Sequence, residues 1–331
     1  AEGHAAVATG HVVETKILAE AVESVGLAPA VWLSTGVPRQ FRKQMASWLR
    51  EPEWPPGSDL NETTAAIGRE SVGLVVTNCR AITPGQVENL QKCGAPVACI
   101  DEFGGRGLPA DLVINASIVT RFHDYEGQPQ QVLAGPRYMC LGSDYRTQRV
   151  RNFEKGIRRI AVSLGGTDRT EATLRVMDTL YDWRTDVTVD VIMGPGFAFR
   201  DRLLARSDLD RFVLNEAPHS LASVLGAADV GISAGGNTLY ELAFLGTPAI
   251  VLHEDPHENE QGQTFAAAGS ALSAGRGADH NPQTLRTMLD TLTPDRLSRM
   301  SKSGQKLVDG RGIDRVIPAL RNLLAQTKQD R

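Results

Sequence analysis

The chain has 331 residues, 41% of them hydrophobic, and a formal net charge of -4 from 35 Lys and Arg against 39 Asp and Glu. That supplies cores for two ordinary domains and excludes the basic footprint of a nucleic-acid-binding protein, while 5% aromatics leave few platforms for stacking bases. No apolar run approaches the ~18 residues of a membrane span, no signal peptide is visible, and Cys79, Cys93, Cys99 and Cys140 form no C-x-x-C pair, so they read as buried free thiols of a cytoplasmic, reducing compartment.

The chain opens on Ala1-Glu2-Gly3-His4 with no initiating Met, so a further strand is expected to precede residue 1. A helical pattern follows over 12–24, then candidate strands at 30–34, 73–77, 97–100, 112–114 and 131–134, with a helix over 84–92. After the polar stretch 144–158 a second series begins: strands at 160–163, 188–193, 212–215, 230–233 and 249–252, a helix over 170–182, and a final helix over about 314–326. Most of these strands are short, continuous runs of Val, Ile and Leu, the pattern of strands buried on both faces of a parallel sheet. Strand–helix alternation of this kind gives an α/β fold. Two doubly wound, Rossmann-like domains facing across a cleft are predicted, over residues 1–150 and 151–331, the second closed by the C-terminal helix.

Two glycine pairs occupy matching places in the second domain. Ser163-Leu164-Gly165-Gly166-Thr167-Asp168 and Ser233-Ala234-Gly235-Gly236-Asn237-Thr238 each follow a strand and precede a helix. Glycine lets the backbone approach a ligand closely, and a helix N-terminus offers unpaired N–H groups with a partial positive charge. Together they form a site for a diphosphate, outside the carboxyl ends of the strands; the plain alternative is a pair of tight turns. Neither loop matches G-x-G-x-x-G or a Walker A loop, so nicotinamide cofactors and P-loop ATP chemistry are disfavoured and no cofactor is expected. Asp168 with Glu171, and Thr238 with Glu241, have capping-box spacing. Asp168 reads as a cap. Glu241 reads either as a cap or as a carboxylate accepting two ribose hydroxyls.

In the first domain, Thr9-Gly10-His11-Val12 opens the first helix. A helix N-terminus disfavours the protonated imidazole and keeps it available as a base, although a capping or core histidine has the same sequence appearance. Asp101 and Glu102 follow a strand and point apart, as sugar contacts or as solvated or capping residues. His253, Glu254, Asp255, His257 and Glu258 crowd one loop, but their spacing matches no H-E-x-x-H motif, so no metal is assigned.

The longest signature is Asn215-Glu216-Ala217-Pro218-His219, the glycine loop at Gly235, Tyr240-Glu241-Leu242, and Gly246-Thr247-Pro248. This run resembles the donor-binding domain of two-domain, Leloir-type nucleotide-sugar enzymes of the GT-B fold. Among them it is similar to the GlcNAc transferase of peptidoglycan synthesis and, more closely, to the UDP-sugar hydrolase of pseudaminic acid biosynthesis. Glu2, Thr9, Gly10 and His11 resemble the end of that hydrolase's first polar loop. The similarity continues through Ile100-Asp101-Glu102, Ala110 to Asn115 and Ala134 to Tyr138. It implies a UDP-sugar donor, with His11 as general base, Gly165, Gly166, Thr167, Pro218, Gly235, Gly236, Asn237, Thr238 and Glu241 at the nucleotide, and Gly10, Asp101 and Glu102 on the sugar and acceptor side.

Two departures fall on that side. Asn78-Cys79-Arg80 stands where the family shows Asp-His-Tyr, and, counting back from Gly269, His257 and Glu258 stand on its Asn-Gln positions. The expected reaction is an inverting displacement at the anomeric carbon by an acceptor hydroxyl, in a glycosyltransferase. Hydrolysis by water and a binding protein without catalysis stay as alternatives. Nothing in the sequence specifies the acceptor or an oligomeric state.

Overall fold

The computed structural model describes residues 1, 10–51, 53, 60–70, 72–80, 82–125, 129–145, 147–148, 150–218 and 220–329. Glu2, Thr9 and His219 lie outside them. The chain divides into two compact units, one of residues 1–142 with 311–331 and one of residues 143–310.

Among the described residues, the first unit holds a four-stranded sheet in the order β1 (Val75–Asn78), β2 (Val97–Ile100), β3 (Leu112–Asn115) and β4 (Val132–Ala134), all parallel. Strands β2 and β3 are buried at every residue, as their unbroken apolar runs require. The run at 30–34 does not form a ladder strand. Val31 and Leu33 are buried, and among the described residues the run shows isolated bridges, at Val31 to Leu49 and at Ser34.

The second unit holds a six-stranded, wholly parallel sheet. Its strands are β5 (Arg159–Ser163), β6 (Thr188–Met193), β7 (Phe212–Glu216), β8 (Val230–Ser233), β9 (Ala249–His253) and β10 (Ala271–Arg276), ordered β10-β9-β8-β5-β6-β7. Ile160, Val162, Val189, Val191, Ile232, Ile250 and Leu252 meet Val176, Met177 and Leu180 of the helix Ala172–Trp183 in one buried cluster. The expected α/β architecture of two parallel, helix-flanked sheets is present.

The C-terminal helix corrects the expected second domain. Gly312–Gln329 belongs to the first unit. Its Val316, Ile317 and Leu320 pack with Leu18 of the helix Gly10–Ser24 and with Ala98, Ile100, Leu112 and Ile114 of β2 and β3. The entry is fixed by Gly312, where a Cβ would lie 2.0 Å from the Met139 carbonyl oxygen. An apolar stripe of that kind is driven to whichever sheet face it can cover, and sequence order does not decide which. Among the described residues no helix is long and apolar enough to cross a membrane.

Leu320 is 4% exposed. Leu320→Ala is expected to lower stability by about 2–5 kcal/mol. Hydrogen exchange should show lost protection in β2 and β3 with β5 and β8 unchanged; the opposite pattern would place the helix with the second unit.

Candidate active site

The order β7-β6-β5-β8-β9-β10 is that of a dinucleotide-binding sheet. The chain moves outward from β5 on one side and from β8 on the other, which makes their boundary the topological switch point. The two strands pair in register up to Ser163 and Ser233. Both glycine loops therefore leave the sheet side by side, at the carboxyl ends of the two strands flanking the switch point.

The loops differ at the helices they open. In the first, Asp168 is 1% exposed, and its two carboxylate oxygens accept the N–H groups of Ala172 at 3.0 Å and Thr173 at 2.8 Å. It caps the helix as expected, but without a capping box, because Glu171 turns instead to Arg202. Those helix N–H groups are thus taken, and a phosphate there would depend on Gly165, Gly166 and Thr167, whose N–H groups have no acceptor among the described residues. In the second loop the N-cap residue, Asn237, makes no side-chain cap. The expected Thr238–Glu241 box does not form, and the N–H groups of Gly235, Gly236, Asn237 and Thr238 have no acceptor among the described residues. This is the helix N-terminus that is left for an anion.

Gly235 has φ +121°, and a Cβ there would come within 2.8 Å of the Glu258 carbonyl oxygen and 2.9 Å of its Cβ. Both facts restrict the position to glycine. Its carbonyl accepts from Gln261 Nε2 at 3.3 Å, and Tyr240 donates to Gln261.

The segment after β9 joins the two loops. Asp255 caps the helix Pro256–Ala267 by accepting the Glu258 N–H at 2.9 Å. Glu258 in turn accepts the Glu254 N–H at 2.8 Å, and Glu254 accepts from the Arg169 backbone at 2.7 Å and its Nε at 2.9 Å. Burial pushes the Glu258 carboxyl up to about 8 and that of Glu241 up to about 7, the Tyr145 hydroxyl drawing the latter back. His257 lies half-buried in the first turn of the same helix as Glu258. Pro218 follows β7 beyond Ala217, which sits at φ 40° with its N–H on the Met193 carbonyl at 2.8 Å.

A separate cluster forms in the first unit around His11, 7% exposed, on the first turn of Gly10–Ser24. Its Nδ1 lies 2.8 Å from Asn78 Oδ1, at the end of β1. Asn78 Nδ2 donates to the His11 carbonyl at 3.1 Å and to Glu14 Oε2 at 3.1 Å. Burial, with Glu102 close by, pushes Glu14 up to about 7. His11, Glu14 and Glu102 each bring a ligand atom within 4.8 Å of the others, the arrangement among the described residues that could hold a cation.

Asp101 is not part of this group. It is 2% exposed, and its carboxylate is filled by the Gly104 N–H at 2.9 Å, the Tyr125 hydroxyl at 2.8 Å and Arg106. It holds the turn after β2, which leaves its carboxylate no oxygen for the sugar contact expected of it. In the sequence Glu14 carries no assigned role, and Asn78 stands out only as a departure from the family's acidic residue. The i, i+3 spacing of His11 and Glu14 on one helix face was the available signal.

Glu258 titrates near neutrality in the folded chain and near 4.5 when unfolded. The folded form therefore holds its proton through a range where the unfolded form has lost it. Its contribution to stability is complete below pH ~4.5 and is lost as pH rises through about 8. Glu258→Gln should flatten the fall of the urea midpoint between pH 5 and 8.5, and a variant as steep as the parent would show the carboxyl to be ionised throughout.

No model of a known protein family matches the chain. It is 30% identical over 242 residues to the spore coat polysaccharide biosynthesis protein SpsG of Bacillus subtilis (strain 168), covering 70% of this chain and 71% of that one. Among solved structures, MurG of Acinetobacter baumannii superposes with a TM-score of 0.67 at 15% identity, covering 95% of this chain and 96% of its own. MnaA of S. aureus, solved with UDP, gives 0.67 at 14% identity over 96% and 93%. With both sheets, both glycine loops and that relationship in place, the chain belongs to the family of SpsG, and its fold is that of the MurG and MnaA structures.

Proposed function

We propose that the protein transfers a sugar from a nucleotide-activated donor, with UDP as the nucleotide, by inverting displacement at the anomeric carbon. The observation that carries this reading is the uncapped helix N-terminus behind Gly235 and Gly236 at the β5/β8 switch point. UDP comes from the S. aureus protein of the same fold, which holds it. The four cysteines, none of them in a disulfide, fit a reducing, cytoplasmic compartment.

In this reading the diphosphate lies against the N–H groups of Gly235, Gly236, Asn237 and Thr238, with those of Gly165, Gly166 and Thr167 beside it. They are fixed donors, aimed where charge accumulates as the anomeric C–O bond breaks. Glu258, carrying its proton at neutral pH, donates to a phosphate oxygen where an ionised carboxylate would repel it. Glu241 accepts the ribose hydroxyls, and Pro218 lies in the turn beside the base. The sugar and acceptor contacts are assigned to Gly10 and Glu102 in the first unit and to His257 in the second. His11 takes the proton of the acceptor hydroxyl as its oxygen bonds to the anomeric carbon, and the nucleoside diphosphate leaves with the electron pair of the broken bond.

Nucleotide release from a panel of nucleotide-sugars without acceptor, followed by mass spectrometry, tests the reading. Binding of one UDP-sugar without release is the expected result. Stoichiometric UDP and free sugar would make water the nucleophile and the protein a hydrolase. Absence of any nucleotide-sugar binding would end the proposal.

His11→Ala should lower kcat by roughly 10²- to 10⁴-fold with donor KM unchanged, and Glu241→Ala should raise donor KM with kcat largely kept. Turnover that stops with EDTA and returns with a divalent ion would instead assign His11, Glu14 and Glu102 to a metal. Gly235→Ala introduces strain of about 1–3 kcal/mol and should weaken donor binding on the order of 10- to 100-fold by titration calorimetry. Unchanged affinity would move the nucleotide away from this loop.

A further inference from the structure

Asn78 replaces the acidic residue that the resemblance leads one to expect, and its side chain is held at three points. Nδ2 donates both to the His11 carbonyl and to Glu14 Oε2, each at 3.1 Å, while Oδ1 lies 2.8 Å from His11 Nδ1. The orientation of the amide follows from its partners. A backbone carbonyl only accepts, so the His11 carbonyl requires the NH₂ on its side, and a Glu14 carboxyl oxygen is served by the same group. The reversed amide would set Oδ1 against both of those oxygens and Nδ2 against the ring. With Oδ1 facing the imidazole, and Oδ1 able only to accept, Nδ1 must carry the ring proton.

We infer that Asn78 is a positioning residue that holds His11 as the Nδ1–H tautomer and leaves Nε2 as the atom free to take a proton. The group is built for one tautomer by three elements: His11 and Glu14 on the helix Gly10–Ser24, Asn78 at the end of β1, and Glu102 after β2. Cys140, beyond β4, also faces Glu14. In catalysis an imidazole that is oriented through Nδ1 and attacks protons through Nε2 is the arrangement a general base needs. A neutral amide provides the orientation without the added attraction that a carboxylate would exert on an imidazolium. The tautomer lock stands on these hydrogen bonds alone, and its catalytic consequence rests on the reading of His11 as base.

The test is long-range ¹⁵N–¹H correlation on the uniformly labelled full chain, with His11 assigned by its loss in His11→Ala. In alkaline buffer, wild type should show a protonated Nδ1 and an unprotonated Nε2. Asn78→Leu, close in shape but unable to accept, should mix the tautomers and lower kcat roughly 10- to 100-fold with donor KM unchanged. Asn78→Asp keeps the acceptor. It should restore the Nδ1–H signal and much of kcat, with the acid limb of the pH profile moved to higher pH, because a carboxylate favours the charged ring. An Nε2–H signal in wild type overturns the inference, whether or not any variant folds. So does Asn78→Leu with tautomer and kcat both unchanged. If the tautomer responds to Asn78 but kcat responds to neither Asn78 nor His11, the lock stands and the base assignment fails.

Discussion

The in-register pairing of β5 with β8 is the constraint on which the candidate site of the second unit depends. Strand order in a parallel sheet reverses at that pair, so no helix can cover the carboxyl ends of both strands. Two loops emerge there, about one strand spacing apart, ~4.8 Å. Each other feature of the second unit reads as an adjustment to that opening. The first loop closes itself with the Asp168 carboxylate, and the second stays open at Gly235. Glu254 and Glu258 tie the two together from the end of β9.

Three carboxyls, Glu14, Glu241 and Glu258, are pushed up toward neutrality, each chiefly by burial. A buried acid whose desolvation outweighs the pull of nearby positive charge, as of His11 on Glu14 and Arg169 on Glu258, holds a proton rather than bear a poorly compensated charge. Positioned this way, such groups are hydrogen-bond donors as well as acceptors, which suits a ligand rich in hydroxyls and phosphate oxygens. The ordinary surface pairs of the second unit, such as Arg184 with Asp186 and Arg200 with Glu216, show the opposite behaviour, each acid being held down by its guanidinium partner.

Much of this architecture was legible in the chain. Runs at 188–193 and 230–233 coincide with β6 and β8, because a strand buried on both faces must be apolar throughout. Strand β10 was not legible: Ala271–Arg276 is an edge strand of small and polar residues, mostly half-buried, with no apolar run to mark it. At 30–34 the described residues show bridges at Val31 and Ser34 but no full ladder, and buried apolar residues look the same in sequence in either case. At the site, the glycine loops and His11 were recognisable because their conformational and chemical needs are local. The occupation of Asp101 by Arg106, Tyr125 and Gly104, and the grip of Asn78 on His11 and Glu14, join residues from separate elements. Spacing along the chain carries no record of such contacts.

The return of the last helix to the first unit makes the second unit an insertion within the first. Residues 143–310 carry their own strands and core, and can fold as soon as they leave the ribosome, since domains generally fold as units during synthesis. The first unit emerges earlier yet finishes later. The apolar face of β2 and β3 stays without Val316, Ile317 and Leu320 until the helix Gly312–Gln329 has been made. Chain closure across the intervening unit grows only slowly more costly with its length, so the arrangement tolerates a large insertion. Its exposed partner face during translation is the vulnerable interval, and a nascent chain arrested near residue 310 would present a finished second unit beside an unfinished first one.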